Sequence, residues 1–387
     1  MTTSGTRIAT QRHTVVEQLA TVLSDANPVL GVVDFNVLDQ LIGYLQEVYP
    51  EDWIRHTVAV RTMCLPGVLE HFRARGLGLS TSSMVEFEIA ERIRAPHEEI
   101  IHDAPVKTLS QLRDLTDAEV SLSIDNFAEL TRVDELLADP SNYAGTLGLR
   151  VTPQASADDD ATTWAHLGIG LRDHRTVLIE TLLERPWLTQ LHVSFDTPPT
   201  TLQQTVEQIA AVYQFAEDIE HAAGERRIFR LHFPAGMPIN VTSDEVQPTF
   251  DNHRFVHHAM VPELFDGKYE IVSESTAALT AKAGMLLARV EYSKDLDDRM
   301  IAVVTPLSNH NPIPSGCSPT TVTVDTKTTC NITITTWPVP PDWSPNVWNS
   351  LSSKKATSSQ SSMSVPRPLA SPPGLPHRSM ASARMAC

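Results

Sequence analysis

Val58-Ala59-Val60-Arg61-Thr62-Met63 leads, through a stretch of helical period at 65–75, into Gly76-Leu77-Gly78-Leu79-Ser80-Thr81 and a second helical stretch at 84–93. Short β-rich runs that alternate with longer helix-period segments are the signature of a parallel sheet with crossover helices. Outward from this stretch the alternation continues. β-rich runs fall at 56–60, 77–81, 99–103, 120–124, 146–152, 188–195, 228–233 and 269–274, with helical patterns at 126–138, 172–184, 201–221 and 254–265. Eight units in about 220 residues predict an α/β protein built on a closed (β/α)8 TIM barrel. An open doubly wound sheet would need a Gly-x-Gly-x-x-Gly turn after one of these strands, and none follows any of them.

Ahead of the barrel, 28–34 reads as a separate strand and 37–49 as a helix. Beyond it, 285–292 and 300–304 read as strands that leave the barrel for a second, β-rich module, and 320–336 as two further short strands. After Pro306, Ser, Thr and Pro rise and periodicity fades. From Leu351 onward ten of 37 residues are Ser and five are Pro, too little apolar surface to offset the ordering of the backbone, so a disordered tail is expected. The division this gives is an N-terminal strand and helix (1–50), the barrel (51–284), a β-rich remnant (285–340) and the tail (341–387).

The chain has 387 residues, 41% hydrophobic, enough for a substantial core. No stretch approaches about 18 uninterrupted apolar residues, and residues 1–18 lack the apolar centre of a signal peptide, so a cytoplasmic protein that does not cross a membrane is expected. Cys64, Cys317, Cys330 and Cys387 are too scattered for a disulfide framework or a zinc knuckle. The last 47 residues carry five Lys and Arg against one acid, which leaves 25 basic and 46 acidic groups, a net −21, on the other 340. Such a body repels nucleic acid and anionic membranes.

Arg61 closes the first barrel strand at the point where a barrel enzyme would present a reactive lysine. An amine forms a Schiff base; a guanidinium, protonated at any working pH and delocalised over a planar fork, offers no nucleophilic nitrogen.

The run 58–88 resembles, without a gap, the start of the barrel in the pyridoxal-phosphate-dependent decarboxylases of basic amino acids, the diaminopimelate, ornithine and arginine decarboxylase group with an alanine-racemase-like barrel. The family's Tyr-Ala-Val-Lys-Ala-Asn strand end stands here as Val58-Ala59-Val60-Arg61-Thr62-Met63. Its Gly-x-Gly-Phe-Asp-x-x-Ser-x-x-Glu stands as Gly76-Leu77-Gly78-Leu79-Ser80-Thr81-Ser82-Ser83-Met84-Val85-Glu86, in which Ser83 and Glu86 match. Ile100-Ile101-His102-Asp103-Ala104-Pro105-Val106-Lys107 is similar to the family's Ile-Val-x-His-Gly-Pro-Gly-Lys loop. Asp125 to Leu130 is similar to its Asp-Ser-x-x-Glu-Leu, Leu149-Arg150-Val151 to a strand carrying a cofactor-side arginine, and His166-Leu167-Gly168-Ile169 to its Lys-Phe-Gly turn. The likeness covers roughly residues 28–300.

The resemblance implies a barrel, a pyridoxal phosphate cofactor, an amino-acid or polyamine-related ligand and a homodimer. It also shows where this chain departs. The family's Schiff-base lysine is Arg61. Its ring-stacking histidine falls in Ser194-Phe195-Asp196-Thr197, with His192 two residues earlier on the same strand face. Its phosphate-binding Gly-Gly-Gly reads Pro234-Ala235-Gly236, where proline removes a donor. Its Glu-Pro-Gly-Arg reads Glu274-Ser275-Thr276-Ala277. Arg150, His192, Ser194, Gly236 and Glu274 are therefore the vestigial cofactor positions.

The family's C-terminal Cys-x-x-x-Asp and Gly-Ala-Tyr elements are not found: no tyrosine follows Tyr292, and neither Cys317 nor Cys330 has an acid four residues on. The resemblance thus implies a truncated or replaced C-terminal domain, which a shifted reading frame or a retained intron near residue 305 would explain.

For Glu274 the resemblance gives contact with the pyridine nitrogen. The simpler reading is a barrel-mouth ion pair, with Arg61 as partner, and Arg150 would likewise contact Glu86 or Glu274. Lys107 lies in a loop that carries lysine in active relatives, and Lys268, Lys282 and Lys294 fall outside the predicted mouth. His102, Asp103, His192 and His232 lie near strand ends, but metal-dependent barrel hydrolases resemble one another in a first-strand His-x-His, and Val58-Ala59-Val60 has none. No metal site is expected. His257-His258 reads as surface or packing. The expected function is a divergent decarboxylase homologue, a pseudoenzyme or one with very weak family activity; the alternatives are a non-catalytic regulator resembling the antizyme inhibitors, or altered chemistry on the same barrel.

Overall fold

The computed structural model describes residues 18–153, 167–195, 201–233, 249–296, 299–304, 319–323 and 330–335. Eight parallel strands form the barrel: β2 (Ile54–Ala59), β3 (Gly78–Thr81), β4 (Ile100–His102), β5 (Ser121–Ile124), β6 (Leu147–Thr152), β8 (Leu188–Val193), β9 (Arg230–Phe233) and β10 (Glu270–Glu274). Each pairs with its neighbour in turn, β5 with β6 and β10 with β2, so the sheet closes on itself and has no free edge. A two-residue strand, β7 (Ile169–Gly170), adds to β6 outside the ring. All eight strands lie where hydrophobic period puts them, with ends displaced by up to two residues.

Side chains alternate along each strand between helices and lumen. Val58, Val60, Leu79, Ile100, Leu122, Ile124, Leu149, Val151, Leu191 and Leu231 belong to one buried apolar cluster with the helices. The alternate positions, Thr57, Ser80, Ser123, Arg150, His192, His232 and Glu274, are buried and polar. This barrel has an oily outer layer and a polar interior.

The helices are α1 (Phe35–Val48), α2 (Pro66–Ala74), α3 (Met84–Arg92), α4 (Leu109–Asp117), α5 (Phe127–Leu136), α6 (Leu171–Glu184), α7 (Leu202–Ala223), α8 (Thr249–Met260) and α9 (Thr276–Thr280). Their starts follow from local chemistry. Asp34, Ser83 and Asn126 accept backbone N–H groups in the first turns of α1, α3 and α5, and Thr108/Gln111 and Thr201/Gln204 form capping boxes. Gly224 ends α7 at φ +70°, the left-handed conformation that glycine adopts without a Cβ penalty. The helix expected at 254–265 is α8 shifted toward the N-terminus, followed by a short 3₁₀ turn at Pro262–Phe265, because Pro262 cannot supply the N–H that would continue it.

The strand expected ahead of the barrel, β1 (Val29–Val33), is not separate. It pairs antiparallel with β11 (Gly284–Leu296), which also pairs with β12 (Arg299–Val304) and β14 (Cys330–Thr335); β13 (Pro319–Thr323) pairs with β14. Residues at both ends of the barrel sequence thus build one antiparallel sheet. The tail expected at 341–387 lies outside the described residues.

Candidate functional site

The C-terminal ends of the barrel strands bring five sequence-distant charged residues into one chain of contacts. Arg61, just past β2, donates from Nη1 to Ser82 Oγ at 2.5 Å and from Nη2 to Glu274 Oε1 at 3.2 Å. Ser82 Oγ donates to Asp103 Oδ1 at 2.5 Å. Arg150 lies 3.3 Å from Asp103 Oδ2, also donates to the Asp103 carbonyl, and reaches Asp125 Oδ1 at 2.9 Å. Asp125 Oδ1 finally accepts the Gly168 N–H at 3.1 Å. Gly168 has φ +81°, and a Cβ there would stand 2.8 Å from Arg150, so glycine is required on both counts.

Local structure explains the placement. Lumen positions alternate, so Asp103 and Arg150 project inward while their neighbours in sequence face the helices. The Ser275 N–H donates to the Thr57 carbonyl at 3.0 Å, and the Ala59 N–H to Thr276 Oγ1 at 2.5 Å, which locks the turn after β10 onto β2 and holds Glu274 opposite Arg61. Glu86, in the first turn of α3, accepts the Ser82 N–H at 2.8 Å and so fixes the loop that carries Ser82.

Burial and charge oppose one another at each acid. Burial pushes the Glu274 carboxyl above the usual carboxylate range, and Arg61 draws it back only in part. The Arg61 side chain is 41% exposed against 5% for Glu274, so solvent screens the cation while the anion bears its full desolvation. Glu274 in turn holds the Arg61 proton still more firmly. Burial also works against Asp103, but Arg150 and Arg61 outweigh it and keep this carboxyl low.

Lys107 stands apart from this chain of contacts. Its ammonium is buried and gives one hydrogen bond each to the Ala104 carbonyl (2.7 Å), the Ser123 carbonyl (2.9 Å) and Glu129 Oε1 (2.6 Å). Three donors meet three acceptors, and Glu129 Oε2 accepts the Asp125 N–H at 3.1 Å, which fixes the carboxylate. This ammonium is a structural bolt between the ends of β4 and β5.

Below the mouth, His192 bonds through Nδ1 to Ser123 Oγ at 2.9 Å and stacks on His232 with centroids 4.1 Å apart. Burial favours the neutral form of both imidazoles: it drives His232 down to about 4 and holds His192 well below its ordinary value. Ser194 is buried beyond β8, its N–H bonded to the Val151 carbonyl at 2.8 Å. Gly236 and the Asp196-Thr197 turn lie outside the described residues. Arg150 does not contact Glu86 or Glu274, as the strand pattern suggested; Asp103 and Asp125 lie on the two strands before its own and take its guanidinium instead. Of the metal candidates, His102 faces away from the mouth and pairs with Thr81 Oγ1. Among the described residues no group of three His, Cys, Asp or Glu side chains converges as a metal site.

A pyridoxal group held as an imine needs a free amine at the mouth. The described residues do not fit that requirement, since Arg61 carries a guanidinium engaged with Ser82 and Glu274, and the Lys107 ammonium has all three hydrogens bonded. What the arrangement does offer is a fixed line of alternating charge that orders the strand ends. Sequence reasoning missed Asp103, Asp125 and Ser82 as members of this line. The parity of residues 59/61, 80/82, 101/103, 123/125 and 148/150 is the signal that would have found them.

Residues 42–222 match the family described as the pyridoxal-dependent decarboxylase, pyridoxal binding domain. A diaminopimelate decarboxylase of Haemophilus influenzae is 22% identical over 260 residues, 63% of this chain and 59% of that protein, so the alignment spans under two thirds of its relative. Among solved structures, the diaminopimelate decarboxylase of M. jannaschii superimposes with a TM-score of 0.68 at 15% identity, covering 83% of each chain. The lysine/ornithine decarboxylase of Vibrio vulnificus complexed with putrescine gives 0.63 at 15%, covering 84% of this chain and 92% of that one. The arginine decarboxylase of Paramecium bursaria Chlorella virus bound to agmatine gives 0.62 at 13%, covering 84% and 94%. At these identities the superpositions speak for the barrel, while the family match speaks for descent. No helix among the described residues is long and apolar enough to cross a membrane. By residues 42–222, just under half of the chain, this protein is similar to the pyridoxal-dependent decarboxylases of the diaminopimelate, ornithine and arginine group.

Proposed function

We propose that this chain is a decarboxylase-family barrel that has given up covalent capture of pyridoxal phosphate, so that family decarboxylation is lost or very weak. One observation carries the reading: the guanidinium of Arg61 stands at the imine position and is committed to Ser82 and Glu274. Loss of covalent tethering removes both cofactor positioning and exchange of the imine onto a substrate amine, each worth several powers of ten in rate. The charge line is then a structural element of the mouth. It contributes order at the strand ends rather than proton transfer, since each acid in it is paired and each base permanently charged.

The test is to add pyridoxal phosphate to the purified full chain, follow the long-wavelength imine absorbance, and map any lysine adduct after borohydride reduction. No stoichiometric adduct is expected in the native chain, and none at Lys107. A stable adduct at any lysine, or turnover of lysine, ornithine, arginine or diaminopimelate, would overturn the reading. Arg61→Lys alone is expected to leave turnover undetectable, because the sequence lacks the family's Gly-Gly-Gly at Pro234-Ala235-Gly236.

A further inference from the structure

Helix α8 packs against α1 and α7 on the outer wall of the barrel and separates two spaces there. Its buried residues His253 and His257, with His56 of β2 and Tyr49, line a cavity of about 40 Å³. That volume is too small for an aromatic ring, which needs roughly 150 Å³. The other space is an open groove of about 500 Å³ between α8 and α1, within the roughly 300–1,000 Å³ that small-molecule sites span. It shares no residue with the barrel mouth.

Helical period builds the groove. Tyr44, Glu47 and Val48 are the i, i+3 and i+4 positions of one stripe on α1, and Asp251, Arg254, Phe255 and His258 are i, i+3, i+4 and i+7 on α8. The stripes are tied together at one end, where the Tyr44 hydroxyl donates to Asp251 and the Tyr44 ring stacks on Phe250 with centroids 5.0 Å apart.

Charge in the groove is one-sided. Arg254 is held by Glu51, Nη1 at 2.8 Å from Oε2, and lies over the rings of Tyr49 and Phe265, so its guanidinium is spent on the wall. Glu47 has no hydrogen-bond or ion-pair partner among the described residues, and Asp251 gives only Oδ2 to Tyr44. Burial raises the Tyr44 phenol above its usual range and the Asp251 and Glu47 carboxylates raise it further, so both anions bear on the same hydroxyl. Beside them the Phe255 ring is 72% exposed and stacks on no other ring or cation among the described residues.

Two carboxylates without a cation and a bare aromatic face are satisfied together by one kind of guest. A flat organic cation gives its N–H groups to the carboxylates in charge-assisted bonds and lays its body on the ring. An anion is repelled. A bare metal ion would leave Phe255 unused, and among the described residues no three metal-ligating side chains converge.

We propose that the groove between α1 and α8 binds a small flat organic cation, an amidinium or guanidinium on an apolar body, with its N–H groups on Glu47 and Asp251 and its body against Phe255 and Val48.

Benzamidine, benzamide and benzoate have nearly the same shape and carry one positive charge, none and one negative charge. In the full chain labelled at valine methyls, Val48 reports from the groove wall. Benzamidine is expected to shift Val48 saturably, to bind about tenfold more tightly than benzamide, and to weaken as salt rises from about 0.05 to 0.5 M, while benzoate leaves Val48 unmoved. Glu47→Gln and Phe255→Ala change exposed side chains. Each should keep the unbound methyl spectrum and weaken benzamidine about two- to fivefold, the size of an exposed ion pair or cation–π contact. The proposal is overturned if benzamidine binds nowhere or saturates without moving Val48, if benzamide or benzoate binds as benzamidine does, or if both variants bind it as the native chain does.

Discussion

The barrel mouth and the histidine cavity sit on opposite faces of the same strands, one residue apart, and they differ in the polar groups they bury: paired charges in the mouth, neutral rings in the cavity. In the mouth, Arg61, Glu274, Asp103, Arg150, Asp125, Lys107 and Glu129 all have partners. Neutral His56 in the cavity has none among the described residues, and neither has neutral His232 in the lumen below the mouth. The difference is one of magnitude. An uncompensated buried charge costs about 3–5 kcal/mol, enough to unfold a marginal domain, whereas an unpartnered neutral ring costs about 1–3. A fold can leave the second kind of gap open.

The comparison breaks most visibly at the Lys107–Glu129 pair. Glu129→Ala leaves a buried ammonium with only carbonyl partners and is expected to cost about 3–5 kcal/mol by urea unfolding. Lys107→Met combined with Glu129→Leu should recover most of that loss, because the double change removes both charges. A single-variant cost under about 1 kcal/mol would mean that the pair is not held as described.

The cavity is best probed by pH. His56 titrates near 4 in the folded chain because burial disfavours its cation, against about 6.5 when unfolded. Between these values the unfolded state binds the extra proton, so stability is lost as pH falls from 6.5 toward 4. His102 and His232, also near 4 through burial, contribute in the same window. His56→Phe should therefore flatten the profile and gain up to about 3 kcal/mol over the native chain at the acid end, with no such gain from the titration above pH 7.

Arg61→Met sharpens the picture from the mouth side. Glu274 loses a cation that is itself 41% exposed and screened by solvent, so the cost near pH 7 is about 1–3 kcal/mol, less than for a fully buried pair. Its carboxyl, already raised by burial, rises further, so the folded variant binds a proton that the unfolded chain does not, and the penalty shrinks as pH drops toward 5. The smallest effect is expected at Arg92, whose pair with Glu88 is exposed on α3: Arg92→Ala should change stability by no more than about 0.5 kcal/mol.

Much of the architecture was legible because it rests on period. Eight β-rich runs and the helices between them are local patterns, and the caps at Ser83, Thr108 and Thr201 are written within three residues of the turns they close. The pairing of β1 with β11 was not legible, since it joins residues some 250 positions apart and no local pattern names a strand's partner. In the site, the choice between a cofactor contact and an ion pair at Glu274 was visible as a choice. That Arg150 turns to Asp103 and Asp125 rather than to Glu86 depends on the neighbours that barrel closure gives it.

Sequence by itself determined the barrel and the chemistry open to residue 61, because side-chain period dictates which face is buried and a guanidinium cannot behave as an amine wherever it is placed. Tertiary structure alone decided which charges meet at the mouth and that three imidazoles and a phenol share one cavity. Those contacts depend on barrel closure and on the packing of α8 against α1 and α7, and distance in space is not encoded in spacing along a chain.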